Sequence, residues 1–116
     1  MVVDDNYELA SIIQEMLEAE GYEIMSAGDG RDGYLTYLLF RPDVVITDLQ
    51  MPGENGLKLM ERIRAHDPEV RTIYMSGDLS RFGSLLEKEK TSYRISLLEK
   101  PFSREKLMGL LGGFLD

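Results

Sequence analysis

"VVITDLQMPGENG", residues 44 to 56, places an unbroken apolar run, Val44-Val45-Ile46, just ahead of a carboxylate, Asp48. The chain then breaks at Pro52-Gly53 and again at Gly56. A short β-branched run bounded by turn formers predicts a strand covered on both faces, over Asp43 to Thr47. Such a strand has no obvious reason to end on an acid, because desolvating a carboxylate is costly unless something pairs with it. Taken alone, Asp48 could equally be a turn residue or a helix cap, so the surrounding chain has to decide.

Outward from that strand, helical and extended patterns alternate. Leu9, Ile12, Ile13, Met16 and Leu17 follow the spacing of an amphipathic helix, with Asn6 as N-cap and Gly21 as its stop. Tyr22 to Ser26 predicts a strand, and Arg31 to Phe40 a helix closed by Arg41-Pro42. Leu57 to Arg64 predicts the next helix, with Leu57, Met60 and Ile63 on its inner face. Thr72 to Met75 reads as a strand and Ser80 to Glu89 as a helix presenting Phe82, Leu85 and Leu86. Arg94 to Leu98 reads as the fifth strand, and Ser103 caps a last helix carrying Leu107, Leu110, Leu111 and Phe114. Five strand–helix alternations imply a parallel sheet with helices on both faces, joined by right-handed crossovers.

Two features strain this reading. The first strand has only Met1-Val2-Val3 before its acids, short of the usual 5 to 6 or so residues, which suggests that residues precede Met1. Gly109, Gly112 and Gly113 in the last helix each cost about 1 kcal/mol relative to Ala, which predicts a loose tail.

Composition narrows the function classes. At 116 residues the chain predicts one domain, residues 1–116. With 13 basic and 21 acidic residues its net charge is -8, which argues against direct nucleic-acid binding. The longest basic feature, Lys88-Glu89-Lys90, is interleaved with acid and reads as a solvated helix end. No apolar stretch has the roughly 18 residues of a membrane span, so insertion into a membrane is not expected. There is no cysteine, which excludes disulfides and thiolate metal sites and fits a reducing cytoplasm.

The polar residues that matter fall at strand ends. The first strand ends in Asp4-Asp5, the third in Asp48, the fourth in Ser76 and the fifth in Lys100-Pro101. Parallel strands put all their carboxyl ends on one edge, where doubly wound sheets bind ligands. Three carboxylates, a hydroxyl and an ammonium therefore gather there. Clustered acids repel one another unless a cation joins them, and a hard divalent ion such as Mg²⁺ suits carboxylate, carbonyl and water ligands. Asp5 is the expected inner ligand, with Asp4 acting through water, Asp48 adding an oxygen and the Gln50 backbone carbonyl another. An Asp carboxylate can also act as nucleophile towards a phosphoryl group. Lys100 would then neutralise charge on the phosphoryl oxygens and the Ser76 hydroxyl would hydrogen-bond one of them.

Asp4-Asp5, Asp48 with Met51-Pro52 and Gly56, Ser76-Gly77, and Lys100-Pro101-Phe102 together resemble the receiver domain of two-component response regulators, across essentially the whole chain. The resemblance implies a flavodoxin-like three-layer α/β/α sandwich, with five parallel strands in the order 2-1-3-4-5 and five helices. It also implies phosphorylation of Asp48 by a histidine kinase or phosphotransfer protein with Mg²⁺ or Mn²⁺, a cis Lys100–Pro101 peptide, and a downstream output domain or protein. A domain of this kind assists its own phosphorylation and dephosphorylation without being an enzyme. Tyr74-Met75-Ser76-Gly77 with Leu98 to Phe102 resembles receivers attached to hybrid sensor kinases.

Three departures from the family pattern bear on output rather than on phosphoryl chemistry. Leu97 stands where many receivers carry a Tyr or Phe switch, Tyr34 replaces a usual small Ala, and "EKEKTSY", residues 87 to 93, lacks the common Gly-Ala approach to the fifth strand. The resemblance also implies that Asp78, two residues beyond Ser76, and Gln50, two beyond Asp48, flank the phosphoryl position.

Other readings are weaker. An aspartyl-phosphate phosphatase typically has a second acid two residues past its nucleophile, where this chain has Gln50. A degenerate receiver acting only as an interaction module sits poorly with intact Asp5, Asp48, Ser76 and Lys100. A flavin carrier of the same fold needs a phosphate loop after the first strand, and Gly28-Asp29-Gly30 is no dinucleotide fingerprint. His66, the sole histidine, reads as a solvated helix-end residue, and Tyr74 and Tyr93 as strand residues.

Overall fold

Strand and helix alternate along the chain in a computed structural model that describes residues 1–115. The strands are β1 (Val2–Val3), β2 (Ser26–Ala27), β3 (Val44–Asp48), β4 (Arg71–Ser76) and β5 (Ile95–Glu99). The helices are α1 (Tyr7–Ala19), α2 (Gly30–Phe40), α3 (Gly56–Arg64), α4 (Gly83–Ser92) and α5 (Arg104–Leu115), with a 3-10 turn at Leu79–Phe82 leading into α4. All pairings are parallel, in the order β2-β1-β3-β4-β5. This is the flavodoxin-like, doubly wound sandwich.

Two cores explain why β3 is apolar without alternation. One side of the sheet packs Val45, Tyr74 and Leu49 against Tyr37 of α2, Leu59, Met60 and Ile63 of α3, and Leu86 of α4. The other packs Val2, Ile46, Ile73 and Leu98 against Ala10, Ile13 and Leu17 of α1 and Leu107 and Leu111 of α5. All five β3 residues are buried, so their side chains are core whichever way they point.

Local chemistry sets the helix ends. The Asn6 side chain accepts from the Leu9 amide, and Ser103 Oγ accepts from Lys106. Gly21, at φ +90°, closes α1: its amide bonds to Glu18 O and that of Tyr22 to Leu17 O. Arg41 takes the left-handed conformation after α2, where Pro42 forbids continuation.

Four expectations are corrected. The second strand is Ser26–Ala27 rather than Tyr22 to Ser26, because β1 offers only Val2 and Val3 as partners. The segment from Ser80 splits into the 3-10 turn and α4, which leaves Leu85 exposed and buries Leu86. Tyr93 caps α4 instead of entering β5. The inner face of α3 is Gly56, Leu59, Met60, Ile63 and Arg64, with Leu57 only half-buried. α5 continues through Gly109, Gly112 and Gly113 to Leu115, while Asp116 lies outside the described residues. No helix among the described residues is long and apolar enough to cross a membrane.

Candidate functional site

Each polar residue at the carboxyl edge is delivered by a rigid stem. Asp4 follows β1 directly, and its side chain is wholly buried. Its Oδ1 accepts the Asn6 amide at 2.9 Å, and its Oδ2 accepts from Lys100 Nζ at 3.0 Å. Asp48 ends β3, with its side chain about one-tenth exposed and its Oδ2 3.3 Å from the same ammonium. Asp5 is exposed beside them. One oxygen from each of Asp4, Asp5 and Asp48 lies within 4.8 Å of the others, a hard-oxygen set that fits a small divalent cation.

The turn after Asp48 is pinned from both sides. The Leu49 amide donates to Met75 O and the Gly56 amide to Leu49 O. α3 therefore starts against the backbone of Asp48: a Cβ on Gly56 would lie 2.3 Å from the Asp48 carbonyl oxygen. Only glycine permits that approach. Met51 folds inward while Gln50, Pro52 and Gly53 stay at the surface.

Burial pushes the Asp48 carboxyl above its ordinary range. The Lys100 ammonium pulls it down and the Asp4 carboxylate pushes it up again, with the net shift upward. A single lysine shared by two buried acids leaves negative charge in excess.

Ser76 ends β4, one residue beyond Met75, which pairs with Asp48 in the sheet. It is fully buried, and its Oγ accepts the Asp78 amide at 2.9 Å. Its hydroxyl proton therefore remains available to an acceptor at the edge. Asp78 is exposed, with Oδ1 accepting from Ser80. Lys100 is tied to β4 through its amide, which donates to Ser76 O, and the Lys100–Pro101 peptide is cis. All the predicted residues thus lie at the ends of β1, β3, β4 and β5, except Leu97. It sits within β5, half-buried, paired in register with Tyr74.

His66 is remote from this edge. It follows α3, whose end points to the opposite rim of the sheet, and its Nε2 lies 2.7 Å from the Tyr34 hydroxyl. The Tyr34 ring also carries the Arg62 guanidinium at 4.0 Å, so the departure at position 34 is absorbed by surface partners from α3. A cavity of about 450 Å³, lined among others by Met1, Tyr22 and Pro42, shares no residue with the acid cluster.

One network escaped the sequence reading. Arg64, its side chain 4% exposed, reaches Glu89 Oε1 at 2.7 Å, the Tyr74 hydroxyl at 3.3 Å and Thr72 Oγ1 at 3.1 Å. Tyr74 donates to the same Glu89 oxygen at 2.6 Å, and burial pushes its phenol far above the usual range, so it stays a donor. Glu89 is therefore not part of a solvated helix end. The available signal was a charged residue at a core position, since Arg64 continues the Gly56, Leu59, Met60, Ile63 spacing.

A doubly wound sheet with three acids and a lysine at its carboxyl edge is the architecture of a class of signalling domain. The response regulator receiver domain model matches residues 1–111, and the chain belongs to that family, the receivers of two-component systems. Among curated relatives it is 26% identical over 117 residues to sporulation initiation phosphotransferase F of Bacillus subtilis, covering 99% of this chain and 91% of that one. It is 29% identical over 112 residues to the DNA-binding transcriptional regulator NtrC of a Bradyrhizobium species, covering 97% of this chain but 23% of that one. Among solved structures, the Vibrio cholerae chemotaxis protein CheY4 superposes with a TM-score of 0.89 at 26% identity, covering 98% of this chain and 95% of that one. The relatives thus include a protein little longer than this domain and one in which it is a minor part.

Proposed function

We propose that Asp48 is the phosphoacceptor of this receiver and takes its phosphoryl group from a phosphohistidine on a histidine kinase or phosphotransfer protein. The observation that carries this is the convergence of Asp48 with Asp4, Asp5 and Lys100, with one ammonium contacting two buried carboxylates at 3.0 and 3.3 Å. An Asp48 carboxylate oxygen attacks phosphorus as the phosphorus–nitrogen bond breaks. The imidazole leaves neutral, keeping a proton on its other nitrogen. Lys100, already within reach, meets the negative charge carried over to Asp48. Ser76 donates its free hydroxyl proton to a phosphoryl oxygen while still accepting from the Asp78 amide.

Asp5, Asp48 and the Gln50 carbonyl would hold Mg²⁺ or Mn²⁺ directly, with Asp4 acting through water. When bound, the ion supplies positive charge to phosphoryl oxygens that Lys100 alone cannot balance. Asp78, exposed beside Ser76, orients water for dephosphorylation. Histidine kinases take phosphate from ATP, which places the exchange in the cytoplasm, and output passes to a neighbouring domain or a separate protein.

Incubation with acetyl phosphate and Mg²⁺ followed by intact mass measurement tests this. The wild type should gain one phosphoryl group and Asp48→Asn none, with the variant's circular dichroism unchanged. Uptake by the Asn variant at the wild-type rate refutes the acceptor. Continuous phosphate release identifies a hydrolase, and no gain in the wild type an interaction module.

A further inference from the structure

α4 is held by few contacts. Of its residues only Leu86 is buried, and no side chain caps its first turn. Its remaining anchor is polar: Glu89 Oε1 accepts from Tyr74 on β4 and from Arg64 on α3, with the Tyr93 ring at the helix end stacked 4.0 Å from the Arg64 guanidinium. A helix fixed by one leucine and one carboxylate sits at the low-stability end of a domain.

Tyr74 and Ser76 are two residues apart on β4, so their side chains leave the same face of the sheet. One strand therefore presents a hydroxyl to the acid site and a phenol to α4. A second link runs through the chain, from Ser76 Oγ to the Asp78 amide and on through the 3-10 turn to Gly83. On β5 the position paired with Tyr74 is Leu97, which has no polar group to offer α4.

We propose that the Arg64–Tyr74–Glu89 clamp sets the resting position of α4, and that filling the Asp48 site releases it; this rests on Asp48 being the phosphoacceptor. Both donors share one oxygen of Glu89, so a small displacement of α4 lengthens both bonds together. That favours two discrete positions over a gradual slide. Release leaves Arg64 with the neutral partners Thr72 Oγ1 and the Tyr74 hydroxyl, and water entering the space that Glu89 vacates takes the place of the lost ion pair, while Glu89, its side chain 18% exposed, turns outward. Movement of Ser76 towards a phosphoryl oxygen carries the Asp78 amide with it and pulls on the start of α4. The clamp is the part that can yield.

Amide hydrogen exchange over residues 86–93 tests this, with Mg²⁺ alone and with Mg²⁺ plus beryllofluoride as phosphoryl mimic. In the wild type the mimic should speed exchange by about tenfold or more, the scale of losing a hydrogen bond to a charged acceptor. In Tyr74→Phe and Glu89→Gln, exchange should already be fast without the mimic, and the mimic-dependent ratio should fall towards one. A merely structural clamp would raise exchange equally in both states and preserve the wild-type ratio, which overturns the proposal. Should Tyr74→Phe fail to fold, Glu89→Gln at the wetter end of the clamp decides alone. Acetyl phosphate uptake is measured in parallel. Uptake with unchanged α4 exchange sinks the clamp only, whereas no uptake sinks the acceptor reading on which it rests.

Discussion

Gly56→Ala is the most direct perturbation of the strand–turn–helix unit that presents Asp48. The added methyl would lie 2.3 Å from the Asp48 carbonyl oxygen, 3.2 Å from its carbon and 3.3 Å from Leu49 Cα. All three are backbone atoms, so no flexible side chain can swing away. Restoring ordinary contact requires about 1 Å of movement between β3 and α3, both packed into the core, and forcing volume into a packed site costs about 1–3 kcal/mol. The upper end applies where backbone is the obstacle. An unfolding entropy of about 2.1 cal/mol/K per residue gives roughly 0.24 kcal/mol/K for a chain of this length, so a loss of ~3 kcal/mol lowers Tm by about 12 °C. Gly28→Ala, where an added Cβ meets nothing within 4 Å, serves as control and should shift Tm by no more than about 2 °C. Thermal melts followed by circular dichroism make the comparison. If the two variants melt together, α3 does not start against Asp48 as described.

Asp48→Asn should raise Tm in EDTA at pH 7. The folded carboxyl is held above its ordinary 3.8, so wild-type stability falls as pH rises from that value through the folded one. The gap between variant and wild type should therefore vanish below pH 3.8 and grow above it, and melts showing a gap independent of pH would refute the assignment. Mg²⁺ at about a hundred times its Kd should stabilise the native state by about 2.7 kcal/mol, or roughly 10 °C. Asp5→Ala should lose most of that shift, and a full response in the variant would show the ligand set to be wrong. Asp78→Ala should lengthen the phosphorylated half-life measured by timed intact mass, and a shorter one reverses the role given to its carboxylate.

The alternation of elements, the buried Ile13 and Leu17 of α1 and the gathering of the acid-site residues were legible because each rests on local spacing or on strand ends, whereas Ile12, expected on the same face, is exposed and Ala10 takes its place in the core. Parallel topology alone takes Asp5, Asp48, Ser76 and Lys100 to one edge. The shortness of β2 was hidden because strand length depends on a partner, and that partner is 24 residues away in register. The clamp was hidden for a related reason. Arg64, Tyr74 and Glu89 each look ordinary in sequence, as a helix-end cation, a strand aromatic and a member of a charge run. Only the packing of α4 against α3 and β4 joins them. Tyr93 misleads by propensity, since its ring is kept at the end of α4 by the Arg64 guanidinium.

The contact between Lys100 and Asp4 spans 96 positions in the chain. Closing so long a loop is opposed by chain entropy until most of the intervening elements are in place. During synthesis, a ribosome-bound chain exposes Asp4 and Asp48 well before Lys100 has emerged. Such a chain holds the acids without the ammonium that contacts both Asp4 and Asp48 in the folded domain. A copy cut short before Lys100 lacks that ammonium altogether. The acid edge of the sheet is therefore among the last parts of the fold to reach its final balance of charge.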